Sequence, residues 1–157
     1  MKLANIKKDG NYYSAWKALN QKDSVDLLKN GEMFAPKDLQ VDLEAYCPHS
    51  CEFCSYRNVN WQQYGMDFEE PEKPVPEETG LPKEIALRLP REMYEAGIPS
   101  IELTGGGEPM VYPYIKQMLE ELGKYPIELA IVTNGASLND QIQRLLKNLK
   151  WIRFSVD

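Results

Sequence analysis

Four short segments of this chain carry strand-like patterns, and the stretches between them carry the period of a helix. Residues 39–45 (Leu-Gln-Val-Asp-Leu-Glu-Ala) alternate apolar and polar side chains, as do residues 100–104 and 151–157. Residues 127–133 supply a further strand, third in chain order. Helices are predicted over 14–30, 82–96, 114–124 and 139–149, with Gly31 and Gly97 as stops and Asn139 or Ser137 near the last cap. Pro90 falls inside the second helix and is expected to kink or split it. Strands that alternate with helices imply parallel βαβ units with right-handed crossovers, hence an α/β fold.

The polar faces of these strands narrow the choice further. Parallel strands covered on both sides read as continuous apolar runs. Here Gln40, Asp42 and Glu44 share one face, as do Ser100, Glu102 and Thr104, and as do Arg153, Ser155 and Asp157. An open barrel, helix-covered outside and polar inside, accommodates all three. Exposed sheet edges are the plainer alternative.

Composition sets the outer limits. The chain has 157 residues, 43% of them hydrophobic, which suits one domain of ordinary size. Residues 1–35 read as a polar, helical lead-in and residues 36–157 as the core domain. Net charge is −6, so no basic nucleic-acid surface is offered. Asp67, Glu69, Glu70, Glu72, Glu77 and Glu78 crowd a Pro- and Glu-rich loop over 58–80, the pattern of a solvated segment. No apolar run approaches the ~20 residues of a membrane span, and residues 1–10 lack the apolar core of a secretion signal. The cytoplasm is the expected compartment.

All three cysteines fall in one stretch directly after the first strand: Cys47, Cys51 and Cys54, spaced C-x3-C-x2-C. An odd, clustered set argues for metal binding over a disulfide framework. Two readings are open. Cys47, Cys51 and Cys54 with His49 would make a Cys3His zinc set, although His49 lies only two residues from Cys47 and from Cys51, tight for a tetrahedron. Alternatively, the three thiolates hold a [4Fe–4S] cluster. Such clusters ordinarily take four thiolates, so three leave one iron open to bind something else.

The cysteine stretch, with aromatic Phe53 just before its last cysteine, resembles the cluster loop of the radical S-adenosylmethionine (SAM) enzymes. Three later segments carry the same resemblance: Gly105-Gly106-Gly107-Glu108-Pro109 after the second strand, Thr133-Asn134-Gly135 ending the third, and Ser155-Val156-Asp157 ending the fourth. The resemblance implies a partial TIM-like (β/α)6 barrel, here truncated after about four strands. It implies two cofactors, a [4Fe–4S] cluster on Cys47, Cys51 and Cys54, and SAM. An electron from the cluster would cleave SAM to methionine and a 5′-deoxyadenosyl radical, which abstracts hydrogen from a substrate. Gly105, Gly106, Gly107 and Glu108 would cradle the SAM amino group. Asn134 would belong to the SAM pocket, Ser155 and Asp157 would reach the ribose hydroxyls, and Tyr56 would stack on adenine. A flavodoxin or ferredoxin would supply the electron. The substrate is left open among peptide, nucleoside and small metabolite. The competing expectation is a truncated, non-catalytic iron–sulfur or zinc scaffold completed by another chain.

Overall fold

The computed structural model describes residues 21–49, 51–56 and 79–156. Four strands, β1 (Leu39–Asp42), β2 (Ser100–Thr104), β3 (Glu128–Thr133) and β4 (Leu149–Phe154), form one sheet in the order β1-β2-β3-β4. All three pairings are parallel. Each strand lies beside its neighbour in sequence, so every crossover steps in the same direction. With a common hand, such crossovers put their helices on one face of the sheet. This is the winding of a β/α barrel, whereas a doubly wound sheet reverses its order part-way.

Register decides which side chains share a face. Leu39 pairs with Ile101, Val41 with Leu103, Ile101 with Leu129 and Leu103 with Ile131. These apolar residues join Leu43, Met93, Met118, Leu119 and Leu122 in the core between sheet and helices. A side chain of this size, fully buried, contributes about 1.5–3 kcal/mol. The other face carries Gln40 beside Glu102 and Asp42 beside Thr104, in register across β1 and β2, and Gln40 Nε2 donates to Glu102 Oε1 at 3.2 Å. The polar face thus exists on β1 and β2, but two of its expected members belong elsewhere. Ser100 is fully buried and donates to the Lys37 carbonyl at 2.6 Å. Glu44 is also buried, because β1 ends at Asp42 and Glu44 forms an antiparallel bridge with Gly80.

The helices follow their sequence signals with two differences, at Pro90 and in the length of the last helix. The first, α1 (Lys22–Lys29), stops before Gly31, whose φ of 71° suits glycine; the expected start near residue 14 lies outside the described residues. The second, α2 (Lys83–Ala96), runs unbroken through Pro90. Pro90 is buried on the same face as Ala86 and Met93, and that packing offsets the backbone bond its ring removes. Gly97 at φ 76° ends the helix, with the Ile98 N–H bonded back to the Met93 carbonyl at 2.9 Å. A 3-10 turn (Pro109–Val111) precedes α3 (Ile115–Leu122). The last helix, α4 (Asp140–Gln143), is far shorter than the 139–149 expected. Asn139 caps it, accepting from the N–H groups of Gln141 and Ile142 at 3.1 Å. Beyond α4 the chain tightens, with Leu145 N–H bonding to Ile142 O, and Asn148 Nδ2 donates to the Tyr125 carbonyl at 2.7 Å. Accordingly β4 begins at Leu149 rather than 151, and a bulge at Lys150 restores its register with β3. Among the described residues no helix is long and apolar enough to cross a membrane.

Candidate active site

The C-terminal ends of parallel strands are where β/α barrels place their chemistry. At that end the loop after β1 and the loop after β2 are bonded to each other. Gly107 N–H donates to the Glu44 carbonyl and Glu108 N–H to the Tyr46 carbonyl, both at 2.9 Å. A Cβ on Gly107 would lie 2.2 Å from Tyr46 O, so only glycine permits this approach. Glu44 braces the same loop from below. Its Oε1 accepts from the N–H groups of Ala45 and Tyr46, at 2.9 and 3.0 Å, and from the Thr79 hydroxyl. The sequence reading missed this brace; the only available signal was a carboxylate three residues before the first cysteine.

Glu108 fastens the β2 loop to the end of β3. It is 2% exposed. Its Oε1 accepts from Met110 N–H at 3.0 Å and the Thr133 hydroxyl at 2.5 Å, and its Oε2 accepts from Asn134 N–H at 2.7 Å. Three of roughly four acceptor positions of the carboxylate are therefore taken inside the protein. The β4 end is tied in as well, since Ser155 N–H donates to the Thr133 carbonyl at 2.9 Å.

These loops enclose a pocket of about 320 Å³. Its lining brings together Cys47, Cys51, Cys54 and Tyr56 from the first loop, Gly105, Gly106, Gly107 and Glu108 from the second, Asn134 after β3 and Ser155 after β4. His49, Phe53, Ser55, Thr104, Val132 and Thr133 complete it. Asp157 lies outside the described residues, as does the acidic loop over 67–78. A larger groove of about 720 Å³ runs beside the 3-10 turn and α3, but it holds no cysteine or histidine.

All three cysteines are free thiols, partly exposed to the pocket. Burial pushes the Cys47 thiol above its usual range, and Glu108 and Cys51 push the same way; the His49 backbone N–H and the Asn134 side chain work against it. Asn134 Nδ2 lies 3.6 Å from Cys47 Sγ. Among the described residues no three His, Cys, Asp or Glu side chains are gathered tightly enough to hold a single metal ion. A cluster asks for something different, one thiolate for each of several irons. Three thiols around one roomy pocket, with an amide donor at one sulfur, fit that requirement.

The pattern of the radical SAM superfamily matches residues 45–157, from the cysteine loop to three residues past β4. The chain belongs to the radical SAM superfamily. A [4Fe–4S] cluster and SAM are the cofactors of that family. Among its relatives, a probable GTP 3′,8-cyclase of Thermococcus kodakarensis is 31% identical over 110 residues, covering 70% of this chain and 31% of the relative. An S-adenosylmethionine-dependent nucleotide dehydratase of Flammeovirga pacifica is 27% identical, covering 71% of this chain and 35% of the relative. A GTP 3′,8-cyclase of Marinobacter nauticus is 32% identical over 106 residues, covering 66% and 30%. The chain thus spans about a third of the length of these relatives. Its fold resembles that of Streptococcus suis SuiB, solved bound to S-adenosylmethionine, with a TM-score of 0.52 at 22% identity, over 96% of this chain and 30% of that one.

Proposed function

We propose that this chain forms the cofactor-binding part of a radical SAM enzyme, with a core domain beginning near residue 36. The observation that carries the reading is the convergence of three thiols and three strand-end segments on one pocket at the strand mouth. Cys47, Cys51 and Cys54 would hold the cluster as thiolates. With no fourth cysteine in the chain, one iron remains for SAM. Bound there, the cluster would supply the electron that cleaves SAM to methionine and a 5′-deoxyadenosyl radical.

The protein's own part is binding and orientation. Gly105, Gly106 and Gly107 bring bare backbone to the pocket wall, where carbonyl groups can accept from the SAM ammonium. Glu108 has little acceptor capacity left, so its main contribution is to hold that wall against β3. Asn134 and Ser155 present polar groups to the same pocket, and the ribose hydroxyls are the proposed partners of Ser155 and Asp157. Tyr56, 47% exposed at the pocket rim, offers a face for adenine. A flavodoxin- or ferredoxin-type donor in a reducing compartment such as the cytoplasm would complete the system.

For the substrate we favour a nucleotide over a peptide, because relatives across the matched region are named for GTP and nucleotide chemistry. The test is anaerobic reconstitution with iron and sulfide, reduction, and chromatographic assay of 5′-deoxyadenosine from SAM. The expected result is 5′-deoxyadenosine formed in proportion to cluster content, with deuterium entering it from a deuterated nucleoside triphosphate. A chain that takes up a full cluster yet leaves SAM intact would instead be a non-catalytic scaffold.

A further inference from the structure

Asn134 is held in a way that the binding of SAM alone does not require. Its backbone N–H donates to Glu108 Oε2 at 2.7 Å, and its side-chain Oδ1 accepts from Ala136 N–H at 2.9 Å. The second bond settles which end of the amide is which. With the carbonyl end turned to Ala136, the amino end faces Cys47 Sγ at 3.6 Å. Gly135, at φ 80°, makes the turn, and its N–H bonds to Thr133 Oγ1 at 3.0 Å. Among the described residues, Cys47 is the one cysteine of the three whose sulfur accepts a side-chain hydrogen bond.

We propose that Asn134 is a positioning residue that raises the reduction potential of a cluster held by Cys47, by donating its side-chain N–H to that sulfur. The proposal rests on the functional reading above. A thiolate accepts a hydrogen bond more strongly than a neutral thiol. Adding an electron to the cluster raises the negative charge on its sulfurs, so the same N–H stabilises the reduced form more than the oxidised one. Hydrogen bonds to the sulfurs are among the factors that set cluster potentials. The chain from Glu108 through Asn134 to Cys47 gives the Gly-Gly-Gly-Glu segment a second task, holding the donor at the sulfur.

The test uses the full chain, reconstituted anaerobically, with midpoint potentials read by EPR-monitored titration. Asn134→Ala removes the donor. Asn134→Asp keeps the shape and the acceptor for Ala136 but turns a negative oxygen toward the sulfur. The expected order is wild type highest, Asn134→Ala lower, Asn134→Asp lowest. A merely structural role would change iron content and leave the potential of the loaded fraction unmoved; that result overturns the proposal. Pulsed EPR of the reduced wild type labelled with 15N-asparagine tests the contact directly, even where a variant takes up no cluster. A 15N coupling is expected, and its absence overturns the proposal. A wild type that binds no cluster at all overturns the functional reading together with this inference; a loaded wild type with unmoved variants overturns this inference alone.

Discussion

At the scale of single residues, Gly107 and Glu108 explain why this site can form. Gly107 is where two loops meet backbone to backbone, and Glu108 is the clamp beside it. Substituting Gly107 by Ala puts a Cβ against a carbonyl oxygen that belongs to the chain and cannot swing aside. Gly107→Ala should cost about 2–3 kcal/mol in urea unfolding, at the upper end for an overpacked site, and should lower iron retention in parallel. The glycines were conspicuous in the sequence, but the partner that makes Gly107 obligatory, Tyr46 O, is more than sixty residues away. Glu108 was equally conspicuous, and the family resemblance implies a place for it at the SAM ammonium. Its burial, with Thr133 and Asn134 as partners, depends on how closely β2 and β3 approach, and no local pattern reports that. Glu44 illustrates the same limit. Strict alternation places it on the polar face, whereas the antiparallel bridge to Gly80 and the Thr79 hydroxyl cover it there.

At the scale of elements, the sequence was most legible where periodicity met a clear stop. Strand β2 fell on residues 100–104 as expected, and α2 ended at Gly97. Legibility failed where tertiary contacts cut an element short. Helix α4 has apolar residues enough to continue, but Asn148 anchors to the end of α3 and draws the chain into β4 two residues early. Tyr112, between the 3-10 turn and α3, is another such tie: its hydroxyl donates to the Leu81 carbonyl at 2.6 Å ahead of α2. Burial, aided by neighbouring Tyr114 and the carboxylates of Glu44 and Glu84, pushes its pKa up to about 12. An unfolded tyrosine titrates near 10. The folded state therefore favours the neutral phenol, and its stabilising effect is complete below pH 10 and lost as pH rises toward about 12. Tyr112→Phe should cost about 1 kcal/mol at neutral pH for the lost hydrogen bond. The stability gap between wild type and variant should hold steady to about pH 10 and then narrow, as measured by denaturant titration across that range.

At the scale of the molecule, the central observation is a sheet wound in one direction with its polar loops gathered at one mouth. The helix-covered face supplies the stability and the mouth supplies the chemistry, so damage to one should reach the other. Ile131 is fully buried in β3, two residues before Thr133. Ile131→Ala should cost about 2–5 kcal/mol. It should also loosen the hold of Thr133 and Asn134 on Glu108, seen as faster amide exchange at Asn134 and Gly135. The fold class was readable because alternating strands and helices leave few arrangements, and the three cysteines pointed to a cluster before any geometry was known. What geometry added is that loops after all four strands reach the same pocket. The most direct test of that account is EPR of the reconstituted, reduced chain recorded with and without SAM. The account predicts a [4Fe–4S]⁺ signal, with close to four irons per chain, whose shape changes when SAM binds the open iron. A chain that binds zinc in place of iron, or a cluster signal that SAM leaves unchanged, would contradict it.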